Sequence, residues 1–244
     1  MGLNIGSGEL DALMFGTGEV SAVMLGSTEL WSGVKGDRLF LSSSTYTPLT
    51  LREVNKENGA AISTLTLPNV FTEFTDLGAM GKRIFVNGNV NGTRYSICEA
   101  NVKNGVILGS HANNFRAVGG SKDVLNATIG GNLSIINPDN YATIYQNSAY
   151  TPGARGYDGL ADGTMWGLNF EPENPVKFPI LNSTTVPSVG STSSYNNYQY
   201  FGGVRTRLFA TKSDTVLCEV NPTTAAVIAT YTVTKHGYKL CGLK

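Results

Sequence analysis

The side chains of this sequence that could do chemistry are few and scattered. Three aspartates, Asp76, Asp158 and Asp162, stand in or beside stretches of small residues. Two carboxylates roughly 5–10 Å apart are the machinery of glycoside hydrolysis, so these residues define the enzymatic alternative. Against it, the repeat units are too short to carry deep substrate-binding loops, and an exposed turn Asp is the ordinary explanation. The two histidines, His111 and His236, fall in different repeat units, which argues against a shared metal. Cys98, Cys218 and Cys241 are odd in number and lack CxxC spacing, so free buried thiols are expected over disulfides or zinc. No GxSxG, HExxH, phosphate-loop or dinucleotide fingerprint occurs. The sequence therefore assigns no catalytic, cofactor-binding or metal-binding residue, and a protein that is not an enzyme is expected.

One cluster suits binding. Tyr195, Tyr198 and Tyr200 lie with Phe201 in SVGSTSSYNNYQYF. Aromatic faces flanked by Asn and Ser can stack on and hydrogen-bond to a sugar, which makes the three tyrosines candidate ligand contacts. The competing reading is that they pack at the entrance to a strand.

Composition says which elements must position such residues. Charged residues are only 15% of the 244, with 18 basic and 18 acidic side chains and a formal net charge of zero. A nucleic-acid binder normally shows a basic excess, so no nucleic-acid partner is expected. No apolar run reaches the ~20 residues of a membrane-crossing helix, and Met1-Gly2-Leu3-Asn4 lacks the basic start of a signal peptide. Folding in a cytoplasm without membrane insertion is expected. Gly, Ser, Thr and Asn replace the missing charges, and they suit short strands joined by tight turns.

The first repeat has a period of ten: IGSGELDALM from Ile5, FGTGEVSAVM from Phe15 and LGSTELWSGV from Leu25. The columns Gly6/Gly16/Gly26, Ser7/Thr17/Ser27 and Glu9/Glu19/Glu29 match throughout. Ten residues are close to one strand plus one turn, and the Glu column reads as solvated, beside the turn. Leu13, Met14, Phe15, Val23, Met24 and Leu25 form two apolar triplets, more than one face of a lone hairpin can bury. They are the candidate assembly surface. Tandem LGSTEL-type decapeptides resemble those at the N-termini of many short tail and virion proteins of tailed bacteriophages. The resemblance covers residues 5–33. It implies a virion location, other virion proteins as partners and a homo-oligomer.

Behind residue 33 a second repeat begins. Val54-Asn55-Lys56-Glu57-Asn58-Gly59 recurs at Asn101, Asn137 and Asn221, each followed by a strand with Ile (Ile62, Ile107, Ile144, Ile228). A degenerate copy stands at Asn169. Before these turns come small-residue stretches with an aromatic or Leu: LGAMGKRIFV, LNATIGGNLSII, LADGTMWGL and FGGVRTRLFA. The unit at Val34 lacks such a stretch, and a spare one, Tyr238 to Leu243, closes the chain. Five units of about 42 residues with about four strands each predict a β-propeller, its first unit completed by the C-terminal strand. A β-sandwich is the alternative. The Asn-Pro turn followed by a strand resembles YVTN-type and WD-type propeller repeats, although no WD dipeptide occurs.

The expectation is thus an all-β chain: residues 1–33 a decapeptide arm for attachment, residues 34–244 a five-bladed propeller. The function expected is a non-enzymatic tail, fibre or decoration component of a virion that meets a partner or a host-surface carbohydrate. The alternatives are a free lectin-like propeller and a glycosidase.

Overall fold

The structure is a computed structural model that describes residues 13–15, 18–20, 22–25, 28–32, 37–42, 49–112, 114–121, 123–129, 132–147, 155–160, 162–168, 175–178, 198–224, 226–236 and 239–243. Two compact units emerge, 1–35 and 36–244, a boundary two residues beyond the one expected.

In the first unit, β1 (Leu13–Phe15) pairs antiparallel with β2 (Gly18–Val20), and β3 (Ala22–Leu25) with β4 (Thr28–Ser32). One strand per decapeptide was expected. The structure instead sets two short strands astride each Gly-Thr or Gly-Ser at 16–17 and 26–27, so the unit of the repeat is a hairpin. Such dipeptides favour tight reversals.

The second unit is an all-β, propeller-like array of antiparallel sheets. β5 (Leu39–Ser42), β6 (Thr50–Val54) and β7 (Ala61–Thr66) form one sheet, with β23 (Leu240–Gly242) along its inner edge. The register of that closing pair is Leu240↔Leu41, Cys241↔Phe40 and Gly242↔Leu39. The next sheet runs β8 (Phe71–Met80), β9 (Arg83–Val90), β10 (Thr93–Ala100), β11 (Ile107–Ala112). Another runs β12 (Phe115–Gly120), β13 (Leu125–Ile129), β14 (Asn132–Ile136), β15 (Thr143–Asn147). Then come β16 (Arg155–Gly159), β17 (Met165–Leu168), β18 (Pro175–Phe178), and finally β19 (Tyr200–Val204), β20 (Arg207–Ser213), β21 (Val216–Val220), β22 (Val227–Thr232).

Four sheets therefore carry the four strands of a complete blade, and β16–β18 has three among the described residues. That corrects the expectation of five four-stranded units. A second correction concerns 125–136, expected to be an inner stretch and its following strand. It is the β13–β14 hairpin, and the inner strand of that sheet is the preceding β12.

The cores lie between sheets, as stacked amphipathic layers require. Phe85 and Ile97 of one sheet pack on Phe115, Val118 and Leu125 of the next. Leu160 and Trp166 pack on Phe201 and Leu208. Leu39, Leu41 and Leu240 pack on Val204, Phe209 and Leu217, which puts the closing seam in the core. Each turn asparagine works as its type suggests. The Oδ1 atoms of Asn55, Asn101, Asn137 and Asn221 accept the N–H of Glu57, Lys103, Asp139 and Thr223 at 2.8–2.9 Å.

Candidate functional site: the axial carboxylates

The inner strands β8, β12, β16, β19 and β23 neighbour one another in that order, and β23 lies beside β8 again. An inner strand has a sheet partner on one side only, so the N–H groups on its other edge need acceptors once buried. Where strands approach closely no side chain fits between them. A Cβ on Gly203 would collide with the carbonyl of Gly159, and one on Gly242 with the carbonyl of Gly203.

Two aspartates fill the role of acceptor. Asp158, fully buried on β16, accepts the N–H of Gly203 at 2.9 Å and the N–H of Gly242 at 3.0 Å through one oxygen, Oδ2. It thereby ties β16 to both β19 and the C-terminal strand. Asp76, buried on β8, accepts Leu77 N–H at 2.9 Å and, across to β12, Val118 N–H at 3.1 Å. Burial pushes Asp76 up to about 7, against the backbone hydrogen bonds and the Lys239 ammonium, which pull it down; the charge of Asp158 adds a smaller upward push. Lys239, itself buried, lies 5.2 Å from the Phe74 ring and 5.1 Å from the Tyr200 ring.

The three aspartates of the enzymatic alternative therefore take different places. Asp76 and Asp158 are buried clasps: both oxygens of Asp76 and Oδ2 of Asp158 accept backbone N–H groups. Asp162 is exposed and accepts the N–H of Thr164 at 2.8 Å, an Asx turn. Of the candidate ligand tyrosines, Tyr195 lies outside the described residues. Tyr198 is 3% exposed and packs on Phe201 with centroids 5.6 Å apart, so it is a core residue. Tyr200 is half-buried beside Lys239. The assembly candidates Leu13, Met14 and Phe15 lie on β1, and Val23, Met24 and Leu25 on β3. His111 stacks on Tyr141 at 5.5 Å, while buried His236 is pushed down to about 4 by desolvation. The three cysteines are free and buried.

Sequence reasoning missed a latch repeated in three sheets. Arg38, Arg83 and Arg207 each grip a glutamate on the adjacent strand, Glu53, Glu99 and Glu219, through Nε and Nη2 at 2.6–3.0 Å. Each lies 4.8–5.3 Å over the phenylalanine two residues on, Phe40, Phe85 or Phe209. The same guanidinium then reaches the turn of the following sheet. Arg38 donates to Val102 O at 3.4 Å, Arg83 to Pro138 O and Asp139, and Arg207 to Lys56 O and Glu57. The signal in the sequence is Arg-apolar-Phe followed by Glu-apolar-Asn.

Several solved structures share this architecture. A protein of unknown function from Bacteroides caccae matches at TM-score 0.52 and 11% identity, covering 86% of this chain and 100% of that one. A chain of the nidogen/laminin complex matches at 0.53 and 10%, covering 84% and 98%. The chain has a β-propeller fold. A WD40 propeller domain of Doa1 is similar at TM-score 0.45 and 9% identity, over 84% of this chain and 68% of that one. No family model matches the chain, and no curated protein does.

Proposed function

We propose that this chain is a non-enzymatic structural component of a tailed-bacteriophage virion, a tail, fibre or decoration protein. In this reading the arm at 1–33 attaches it to the particle and the propeller meets a partner or host surface. We propose further that β16–β18 is the fifth blade of a five-bladed ring. The order of the inner strands from β8 to β23 supports that count.

The observation that carries the function is the arm. Three consecutive decapeptides of the virion-protein type make a unit separate from the propeller, with two hairpins, β1–β2 and β3–β4. Two-stranded hairpins are marginal alone in water, so a surface of another chain is a natural support. The non-enzymatic reading draws on the axial carboxylates, since both oxygens of Asp76 and Oδ2 of Asp158 accept backbone N–H groups inside the ring. A second reading, a sugar-binding propeller without virion attachment, draws on half-buried Tyr200 beside Lys239.

Mass spectrometry of purified particles from the encoding phage tests the proposal. The chain should appear at stoichiometric abundance with the other tail or capsid proteins. Its absence from particles, together with binding on a glycan array lost in Tyr200→Ala, would favour the second reading. Release of reducing sugar, abolished in Asp158→Asn, would overturn the non-enzymatic one.

A further inference from the structure

The outer strands β7, β11, β15 and β22 share an irregularity. Each pairs with its inner neighbour through a bulge, and the residue passed over is structurally the same every time. Pairing steps from Val54↔Ala61 to Glu53↔Ser63 over Ile62, and from Ala100↔Ile107 to Glu99↔Gly109 over Leu108. It steps from Ile136↔Thr143 to Ile135↔Tyr145 over Ile144, and from Val220↔Val227 to Glu219↔Ala229 over Ile228. All four stand at the seventh position after the turn asparagine. They are 60, 57, 65 and 59% exposed, and Val106 and Val227 beside two of them are exposed as well. Bulges re-aim side chains. One exposed Leu needs no explanation, but four branched apolar residues on four equivalent bulges form a repeated surface.

Charge indicates what covers it. The four outer strands contain no Asp, Glu, Lys or Arg. At the turn tips above them, Glu57 is paired with Lys56 at 3.8 Å and with the Arg207 guanidinium of the preceding sheet. The turn from Asn221 to Thr224 has no charge, the turn from Asn101 to Gly105 carries only exposed Lys103, and the turn from Asn137 to Tyr141 only Asp139. Asp139 is 79% exposed although Arg83 touches it. The sheets bearing Lys103 and Asp139 are neighbours in the ring. A surface with a cation and an anion on adjacent equivalent sites complements itself across a two-fold axis between them, Lys103 facing the other copy's Asp139 on both sides.

We propose that this turn-bearing rim is an isologous interface between two copies of the chain, with Leu108 and Ile144 at its centre and reciprocal Lys103–Asp139 pairs beside them. The interface does not depend on the arm. Sedimentation velocity of the full chain over a wide concentration range tests it. The wild type should form a dimer. Leu108→Lys and Ile144→Lys should each weaken it at least ~tenfold, about 1.4 kcal/mol, with the melting temperature unchanged at dilutions where wild type and variants are both monomeric. Lys103→Glu and Asp139→Lys should each weaken it, and the double variant should recover most of the loss. A monomeric wild type would overturn the proposal, including one that captures a different protein through Ile144. So would a dimer indifferent to both lysine variants, or a double charge reversal no tighter than the single ones.

Discussion

Asp158→Ala removes the carboxylate that joins three inner strands. Two buried donors, the N–H groups of Gly203 and Gly242, lose their acceptor together. Each orphaned buried donor costs about 1–3 kcal/mol. Against this, the desolvation cost of holding a carboxylate in the core disappears. Two such donors together set an expected loss of about 2–6 kcal/mol, less the desolvation that is relieved. For a domain of this size it corresponds to a fall of roughly 10 °C in melting temperature. Asp158→Asn keeps one acceptor oxygen, and because both N–H groups share a single oxygen it should cost less than the alanine variant. Urea unfolding gives the total, and hydrogen exchange gives the location. The amides of Gly203 and Gly242 should exchange fastest relative to wild type, while those of β9 and β10 follow global unfolding. A loss below about 1 kcal/mol, or exchange raised evenly over all sheets, would refute the clasp.

Three further outcomes follow from the same geometry. Folded Asp76 sits near 7 against an ordinary value of 3.8, so the folded state holds the extra proton between those values and stability falls as pH rises through them. His236, near 4 against 6.5 and flanked by Asp214 and Arg52, works oppositely: stability rises from pH 4 to 6.5. The wild type should therefore be nearly flat from pH 4 to 6.5. Asp76→Asn should gain stability with pH there and His236→Gln lose it, each by up to ~1.4 kcal/mol per pH unit; parallel curves for all three in chemical denaturation would contradict this. Arg207→Lys should cost about 1–2 kcal/mol, because an ammonium cannot span Glu219 and the Lys56–Glu57 turn as the fork does; a double-mutant cycle with Glu219→Gln should return a coupling near that size. Deleting residues 237–244 removes β23 and exposes β5, so the whole propeller should melt far earlier; melting within a degree or two of the intact chain would contradict closure.

The legible parts of the fold were those fixed by local chemistry. Asn55, Asn101, Asn137 and Asn221 announce turns because an Asn side chain caps its own backbone wherever the strands lie. The spare strand at the C-terminus was legible because the first unit visibly lacked one. What escaped needed register. Arg83, Phe85 and Glu99 read as unrelated until the pairing of Phe85 with Glu99 places them on one face. The bulged Ile62, Leu108, Ile144 and Ile228 cannot be told from inward residues by a period of two, because a bulge shifts that period by one. Asp76 and Asp158 were singled out correctly as unusual, yet a lone Asp among glycines signals either an acid or a backbone clasp. Only its partners decide, and here they include the N–H groups of Leu77, Val118, Gly203 and Gly242. The inner strand at 115–120 was overlooked because LNATIGG is as rich in small residues as FRAVGG.

The attachment role of the arm faces its most direct test in particle incorporation. Cells infected with phage lacking the native copy would supply either the wild-type chain or the full-length chain carrying Phe15→Ser and Leu25→Ser, and particles would be quantified by mass spectrometry. Burial of such side chains is worth ~1.5–3 kcal/mol each, so the double substitution should cut incorporation at least ~tenfold. The propeller's melting temperature should not change. Normal incorporation of the substituted chain would contradict the account and leave residues 1–33 without the attachment role given to them.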